Sequence, residues 1–399
     1  MKAGWKTVKL GELTSHRPIC YGVLKPGKRQ EKGVPLIRIT DITENRLDES
    51  DIYLITSELS QEFGRSVLTG GEVLLSIQGT IGRVAICPNH MKGANVSRTL
   101  AVIAPDERAT PAYLRYWLLS LNGSLPTCGS TRASLNIGAI RDLEIPLPPL
   151  AEQKRIVALL DEAFAGIDEA KAKAEDCASD VRELYRESVG SIFLRMSEKE
   201  PSCALGDVCG FVRGPFGGSL KKQHFVAKGY AVYEQQHAIY DQFSEIRYFV
   251  SESKYKEMKR FELSPGDLIM SCSGTMGRVA IVPDGIIPGI INQALLKLTP
   301  GEKIQAMFLK CWMESSSFQD ALKKYAGGAA IQNVASVKIL KAIMMPLPSA
   351  VEQANLVRSI NGLREETERA AHVFEMKIES LKELKKSFLT QAFAGELTA

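Results

Sequence analysis

Gly71-Glu72-Val73-Leu74-Leu75-Ser76-Ile77-Gln78-Gly79-Thr80-Ile81-Gly82-Arg83-Val84-Ala85-Ile86 returns 195 positions later as Gly266-Asp267-Leu268-Ile269-Met270-Ser271-Cys272-Ser273-Gly274-Thr275-Met276-Gly277-Arg278-Val279-Ala280-Ile281. Each copy is a short β-rich run, a Ser-x-x-Gly-Thr-x-Gly-Arg turn and a second β-rich run, the pattern of two strands joined by a glycine-bearing connection. Further along the chain, Pro146-Leu147-Pro148 recurs as Pro346-Leu347-Pro348 and Glu152-Gln153 as Glu352-Gln353, 200 positions apart. Two long copies, rather than many short ones, indicate an internal pseudo-dimer and exclude a solenoid.

The two blocks 1–148 and 200–348 read as mixed, mostly β structure punctuated by Gly and Pro, with Val34 to Ile39 as a further strand candidate. One helix is expected in each, at Ala112 to Leu121 and Ala306 to Glu314, where Tyr113, Trp117 and Leu121, and Phe308, Trp312 and Met313, fall at helical spacing. After each Pro-Leu-Pro the texture turns polar, glycine-poor and heptad-like, predicting long helices over 149–199 and 349–399. In the first, Val157, Leu160, Phe164, Ile167, Ala174, Ala178, Val181, Tyr185 and Ile192 form a coiled-coil seam. Val357, Ile360, Arg364, Thr367, Phe374, Ile378, Leu381 and Lys385 form its poorer counterpart. Pro149 opens the first helix, and Ser349 with Glu352 makes a capping box for the second. The expected architecture is therefore α+β. Two mostly β globular domains are separated by two long antiparallel helices, related by a pseudo-two-fold axis that sends the domains to opposite ends of a helical ruler.

A chain of 399 residues, 45% apolar and 24% charged, has no apolar run near the roughly 18 residues of a membrane span, and its first residues lack the apolar core of a secretion signal. None of the eight cysteines sits in a Cys-x-x-Cys pair. Free thiols in a reducing cytoplasm, with no zinc site and no membrane, are expected. The net charge of +4 is modest but unevenly placed: +4 over residues 1–145, −3 over 146–199, +4 over 200–345 and −1 over 346–399. Basic blocks alternating with acidic segments suit a polyanion contacted by the blocks alone.

Catalytic constellations are missing from the sequence. There is no phosphate-binding Gly-x-x-x-x-Gly-Lys-Ser/Thr, no His-Glu-x-x-His, no Gly-x-Ser-x-Gly, no Gly-x-Gly-x-x-Gly after a strand and no Asp/Asn-Pro-Pro-aromatic motif. The five histidines, at 16, 90, 224, 237 and 372, are not spaced as metal ligands. The repeated turn admits two readings. It is a tight strand connection needing positive φ, or a backbone cradle at which Gln78, Thr80 and Arg83, and Ser273, Thr275 and Arg278, contact DNA phosphates or bases. Arg suits guanine, and Asn or Gln suits adenine. The other base-reading candidates are Arg38, Thr40, Arg98 and Arg132 of the Ser130-Thr131-Arg132 loop in the first block. In the second they are Lys221, Lys222, Gln235 and Gln236 within Glu234 to His237, Asn292, Gln293, and Gln332 beside Asn333.

A block, a Pro-Leu-Pro-x-x-x-Glu-Gln boundary and a long helix, all occurring twice, resemble the specificity subunits of type I restriction–modification systems. Pro146 to Gln153 matches the family's boundary motif closely; Pro346 to Gln353 lacks the second proline of the pair. Arg213-Gly214-Pro215-Phe216-Gly217-Gly218-Ser219-Leu220-Lys221 also resembles the opening of a target-recognition type of that family. The resemblance implies two target recognition domains, each reading half of an asymmetric bipartite site in double-stranded DNA, with the helices fixing an unread spacer. It implies no catalysis and no cofactor on this chain. Two modification subunits would bring S-adenosylmethionine and methylate adenine, and ATP- and Mg-dependent restriction subunits would translocate and cleave. Two other classes compete: a stand-alone methyltransferase or nuclease with diverged motifs, and a coiled-coil scaffold that binds no DNA.

Overall fold

The repeated stretch forms an antiparallel hairpin in both copies. Val73–Ser76 pairs with Val84–Ile86 so that Leu74 faces Ala85, and Leu268–Ser271 pairs with Val279–Ile281 so that Ile269 faces Ala280. All four residues of the first strand in each hairpin are buried, because both faces of the sheet are covered. The alternation of side chains across a strand divides them between two cores. Val73 and Leu75 pack with Tyr113 and Trp117, whereas Leu74 packs with Ile37 and Val96 on the opposite face. Leu268 and Met270 likewise join Phe308 and Trp312, and Ile269 joins Tyr233 and Ile291.

This computed structural model describes residues 4–127, 133–325 and 336–397. The chain divides into two units, Met1–Ala174 with Met376–Ala399, and Glu175–Glu375. In the first, a four-stranded sheet runs in the order Cys20–Tyr21, Leu100–Ile103, Val73–Ser76, Val84–Ile86; in the second, Cys209–Arg213, Leu295–Pro300, Leu268–Ser271, Val279–Ile281. A second sheet in each contains a parallel pair, Val34–Ile37 beside Asn95–Val96 and Tyr230–Tyr233 beside Gly289–Ile291. The predicted helices are Pro111–Ser120 and Ala306–Glu314. The early strand Lys6–Lys9 pairs with Glu144–Leu147, and Ser202–Ala204 with Met344–Pro346, closing each block where its long helix begins.

Leu150–Lys199 and Ala350–Ala394 are the long helices. The capping box at the second is formed: Ser349 N–H and Oγ donate to Glu352 Oε2 at 3.0 and 2.6 Å. Every residue of both expected seams is withdrawn from full exposure. In the first unit the beginning of one helix meets the end of the other, with Leu389 and Ala392 buried beside Ile156 and Leu160 and the Phe393 ring 5.3 Å from Tyr113. In the second, Phe193 is fully buried near Ile360, its ring 5.7 Å from Phe308. A side chain of this size contributes about 1.5–3 kcal/mol when buried, so each helix end is held by its own block.

The Glu-Gln of the boundary motif explains the junction. Gln153 is fully buried; its Oε1 accepts from Thr110 N–H at 2.9 Å, and its Nε2 donates to Arg108 O and Pro148 O at 2.7 and 3.0 Å. Gln353, equally buried, accepts from Gln305 N–H at 2.9 Å and donates to Lys303 O and Pro348 O at 2.9 and 3.0 Å. A glutamine is required because one amide must both accept and donate. Among the described residues no helix is long and apolar enough to cross a membrane, and no group of three or more His, Cys, Asp or Glu is placed to hold a metal ion.

Candidate nucleic-acid interface

The repeated turn is closed by its serine. Ser76 Oγ donates to Thr80 O at 2.6 Å and accepts from Arg83 N–H at 2.8 Å; Ser271 Oγ donates to Thr275 O at 2.6 Å and accepts from Arg278 N–H at 3.0 Å. Gly82 and Gly277 sit at φ 92° and 75°, in the left-handed region that a side chain resists. A Cβ on Gly82 would lie 2.8 Å from Asn122 Oδ1, and one on Gly277 2.7 Å from a Leu322 methyl. The strand-connection reading of the turn is therefore built into the backbone. It leaves Gln78, Thr80 and Thr275 exposed and Ser273 half-buried.

Two other segments adjoin the turn. The chain leaving Val34–Ile37 forms a short helical turn, Ile39–Asp41, beside Gly79, whose ideal Cβ position is 3.7 Å from the end of Ile39. The loop Ser97–Thr99 is anchored to the same strand by Ser97 N–H donating to Ile37 O at 2.9 Å. Arg38, Thr40, Gln78, Thr80 and the exposed Arg98 are thereby carried on contiguous segments. The chain also returns to the turn after residue 132, through a bridge between Gln78 and Ser134 and a 2.9 Å bond from Leu135 N–H to Ile77 O.

The second unit repeats this assembly. Tyr230–Tyr233 leads into the helix Gln235–Tyr240 beside Gly274, whose Cβ position is 3.9 Å from Gln235 Nε2. Asn292 N–H donates to Tyr233 O at 2.9 Å, as Ser97 does to Ile37. Gln235, Gln236, Ser273, Thr275, Asn292 and Gln293 are the side chains so gathered. The parallel registers, Ile37 beside Val96 and Tyr233 beside Ile291, align Arg38 with Glu234, Thr40 with Gln236, Asp41 with His237 and Arg98 with Gln293.

Arg38 and Arg83 have intramolecular partners. Arg38 donates from Nε and Nη2 to the buried Asp41 carboxylate at 3.2 and 2.8 Å, and its guanidinium stands 5.1 Å from the Tyr53 ring centroid. The bond to Asp41 holds its pKa above the ordinary arginine value. Arg83 Nη1 donates to Ile39 O and Ile42 O at 3.3 and 2.8 Å, tying the turn to the Arg38–Asp41 segment. Arg278 is exposed. Lys221 and Lys222 are exposed on the loop entering Phe225–Val226, an outer strand two places from Tyr230–Tyr233. Arg132 and Gln332, with the rest of their loops, lie outside the described residues. Asp41 and the aligned His237 as backbone clamps were not legible without the register; nor were Gly22 and Gly214, where a Cβ would lie 1.8 Å from Val96 O and 1.9 Å from Asn292 O.

Comparison with known proteins now adds to this geometry. Residues 2–175 match the model of the type I restriction modification DNA specificity domain. The EcoBI specificity subunit of Escherichia coli is 28% identical over 405 residues, covering 93% of this chain and 81% of the relative. The EcoKI specificity subunit of Escherichia coli strain K12 is 24% identical, covering 92% and 83%. Over nearly its whole length the chain is similar to specificity subunits of type I restriction–modification systems, and residues 2–175 match their DNA specificity domain. The fold agrees: it is similar to a chain from a structure of type I R-M complex assembly, with a TM-score of 0.70 at 19% identity and 99% of both chains covered. It is also similar to the HsdS subunit from Thermoanaerobacter tengcongensis, with a TM-score of 0.52 at 19% identity over 99% of this chain and 98% of that one.

Proposed function

We propose that this chain is the specificity subunit of a type I restriction–modification system, that each of its units reads one half of a bipartite, asymmetric DNA site, and that it thereby directs adenine methylation and cleavage by partner subunits. The observation that carries this is a shared backbone with different chemistry at aligned positions: arginine against glutamate at Arg38 and Glu234, and arginine against glutamine at Arg98 and Gln293. Two copies of one frame bearing different donors and acceptors suit two different half-sites. In this reading the chain is not itself an enzyme and binds no cofactor. S-adenosylmethionine belongs to two modification subunits, ATP and Mg to restriction subunits, and the complex acts in the cytoplasm.

Mapping methylated adenines across the host genome, with the subunit's coding sequence intact and deleted, tests the proposal. Two conserved half-sites at a constant separation, lost on deletion, are expected. Methylation that persists, or that needs only one contiguous half, would overturn it. Turnover by the purified chain alone with DNA, S-adenosylmethionine and Mg would favour a stand-alone enzyme instead. Affinity for DNA should fall steeply with salt.

A further inference from the structure

We propose that Glu234 reads an exocyclic amino group, cytosine N4 or adenine N6, in the half-site contacted by the second unit; this rests on the DNA-reading assignment above. Glu234 leaves strand Tyr230–Tyr233 as the residue aligned with Arg38, next to Gln235 at the Gly274 turn. Its main chain is fixed from below: Glu234 N–H donates to His237 Nδ1 at 2.8 Å. The imidazole is fully buried, with Nδ1 also 3.0 Å from Glu234 O and Nε2 3.1 Å from Glu245 O, so the ring is fixed against the Glu234 main chain. In the first unit the corresponding clamp is Asp41, a carboxylate, and it occupies the Arg38 guanidinium as well as the Arg38 N–H. His237 presents no such partner for a side chain at 234.

The consequence is a carboxylate oxygen left over. Glu234 is half-buried, and its Oε2, shut off from solvent in the free chain, has no hydrogen-bond partner, the single such side-chain atom among the described residues; a rotation of the side chain is needed to bring it to a base edge. A buried acceptor without a donor is costly, and a carboxylate can be satisfied only by a donor. In the major groove the base-edge donors are the amino groups of cytosine and adenine; guanine O6 and N7 and thymine O4 are acceptors and repel a carboxylate. Glu234 thus selects by attraction for amino-bearing bases and by rejection of the others.

The test selects binding sequences from a randomised duplex pool with the full-length chain bearing its co-purified partners, as wild type, Glu234→Gln and Glu234→Ala. Wild type should require one base pair in one fixed orientation at one position of one half-site, and whether that pair is C·G or A·T identifies which amino group is read. Glu234→Ala should lose roughly ten- to hundredfold of the discrimination at that position alone. Glu234→Gln, nearly isosteric and able to pair bidentately with adenine, should shift the preference toward adenine, and it serves if the alanine variant fails to fold by circular dichroism. Unchanged preference at every position, or a change spread over both half-sites, would overturn the role of Glu234 while leaving the reader assignment standing. A wild-type chain that selects no sequence would overturn both.

Discussion

Lys385 Nζ lies 4.9 Å from the centroid of the Phe164 ring, and 200 positions on along one helix and 200 back along the other the same pair is made with its members exchanged. There Arg364 supplies the cation, 5.9 Å from the Tyr185 ring, and its Nε donates to the Tyr185 hydroxyl at 3.0 Å. The repeat has kept an aromatic–cation contact at equivalent places while swapping which helix provides which member. The two are unequally embedded. Lys385 also pairs with the half-exposed Asp168, whereas Arg364 donates at 2.9 Å to Glu314, whose pKa burial pushes up and which also lies near the buried Lys310.

Lys385→Met is therefore expected to cost about 0.5–1 kcal/mol, the range of exposed cation–π and ion pairs. Arg364→Met should cost about 2 kcal/mol, because it strands hydrogen-bonding partners of a charged group. Urea unfolding of the full chain measures both. Equal costs would show that the two contacts are equivalent despite their different settings.

Gln153→Ala and Gln353→Ala each leave one backbone N–H and two carbonyls without their partner at the start of a long helix. Each buried polar group left unmet costs about 1–3 kcal/mol, less where water can enter. A loss of about 2–4 kcal/mol per variant is expected by chemical denaturation. Glutamate at either position should be worse than alanine, since it cannot donate to the two carbonyls. A loss below about 0.5 kcal/mol would remove the glutamines as clamps.

Much of this was readable beforehand, and the reasons are particular. Val73 to Ile86 and its copy declared a hairpin because glycine is nearly obligatory at Gly82 and Gly277, and the seams showed because Leu160, Ala174 and Leu381 face inward at fixed spacing. The helix Ala306–Glu314 falls where its apolar spacing placed it. What stayed hidden depends on contacts distant in sequence. Asn95–Val96 is only two residues long, and its parallel partner lies some sixty positions earlier, so neither length nor periodicity announces it. That pairing is what sets Arg38 against Glu234. Glu152-Gln153 was legible as a recurring motif, but its purpose appears only when Thr110 and Arg108 are seen beside it.

Glu72, nearly fully buried, gives a pH-dependent prediction. Burial pushes its pKa up, but bonds from Thr69 N–H and Oγ1, each 2.6 Å, and from Arg17 outweigh this and hold it below the ordinary value of 4.5. A depressed folded pKa means that the stabilisation is fully present above the unfolded value and is lost as pH falls through the folded one. Glu72→Gln should destabilise by about 3 kcal/mol near neutrality, as expected on breaking a buried pair. Its deficit against wild type should shrink progressively below pH 4.5. A deficit that stays constant into strong acid would mean that the ionised carboxylate is not what stabilises.

Arg83 and Arg278 occupy the same place in the repeated turn yet should respond differently to alanine. Arg83 spans from the turn to Ile39 O and Ile42 O, so its removal frees two carbonyls and loosens the segment carrying Arg38 and Thr40. Arg83→Ala should lower stability by about 1–2 kcal/mol, whereas Arg278→Ala, at an exposed side chain, should change it by less than about 0.5 kcal/mol. On DNA the order reverses in kind. If Arg278 touches phosphate, its loss weakens binding to all sequences alike and reduces the slope of log affinity against log salt by about one. Loss of Arg83 acts through the Arg38 segment, so it should blur base preference in one half-site. Thermal unfolding together with salt-titrated binding of both variants decides the matter. Identical effects of the two substitutions in both measurements would show that Arg83's bonds to Ile39 and Ile42 do not govern its role.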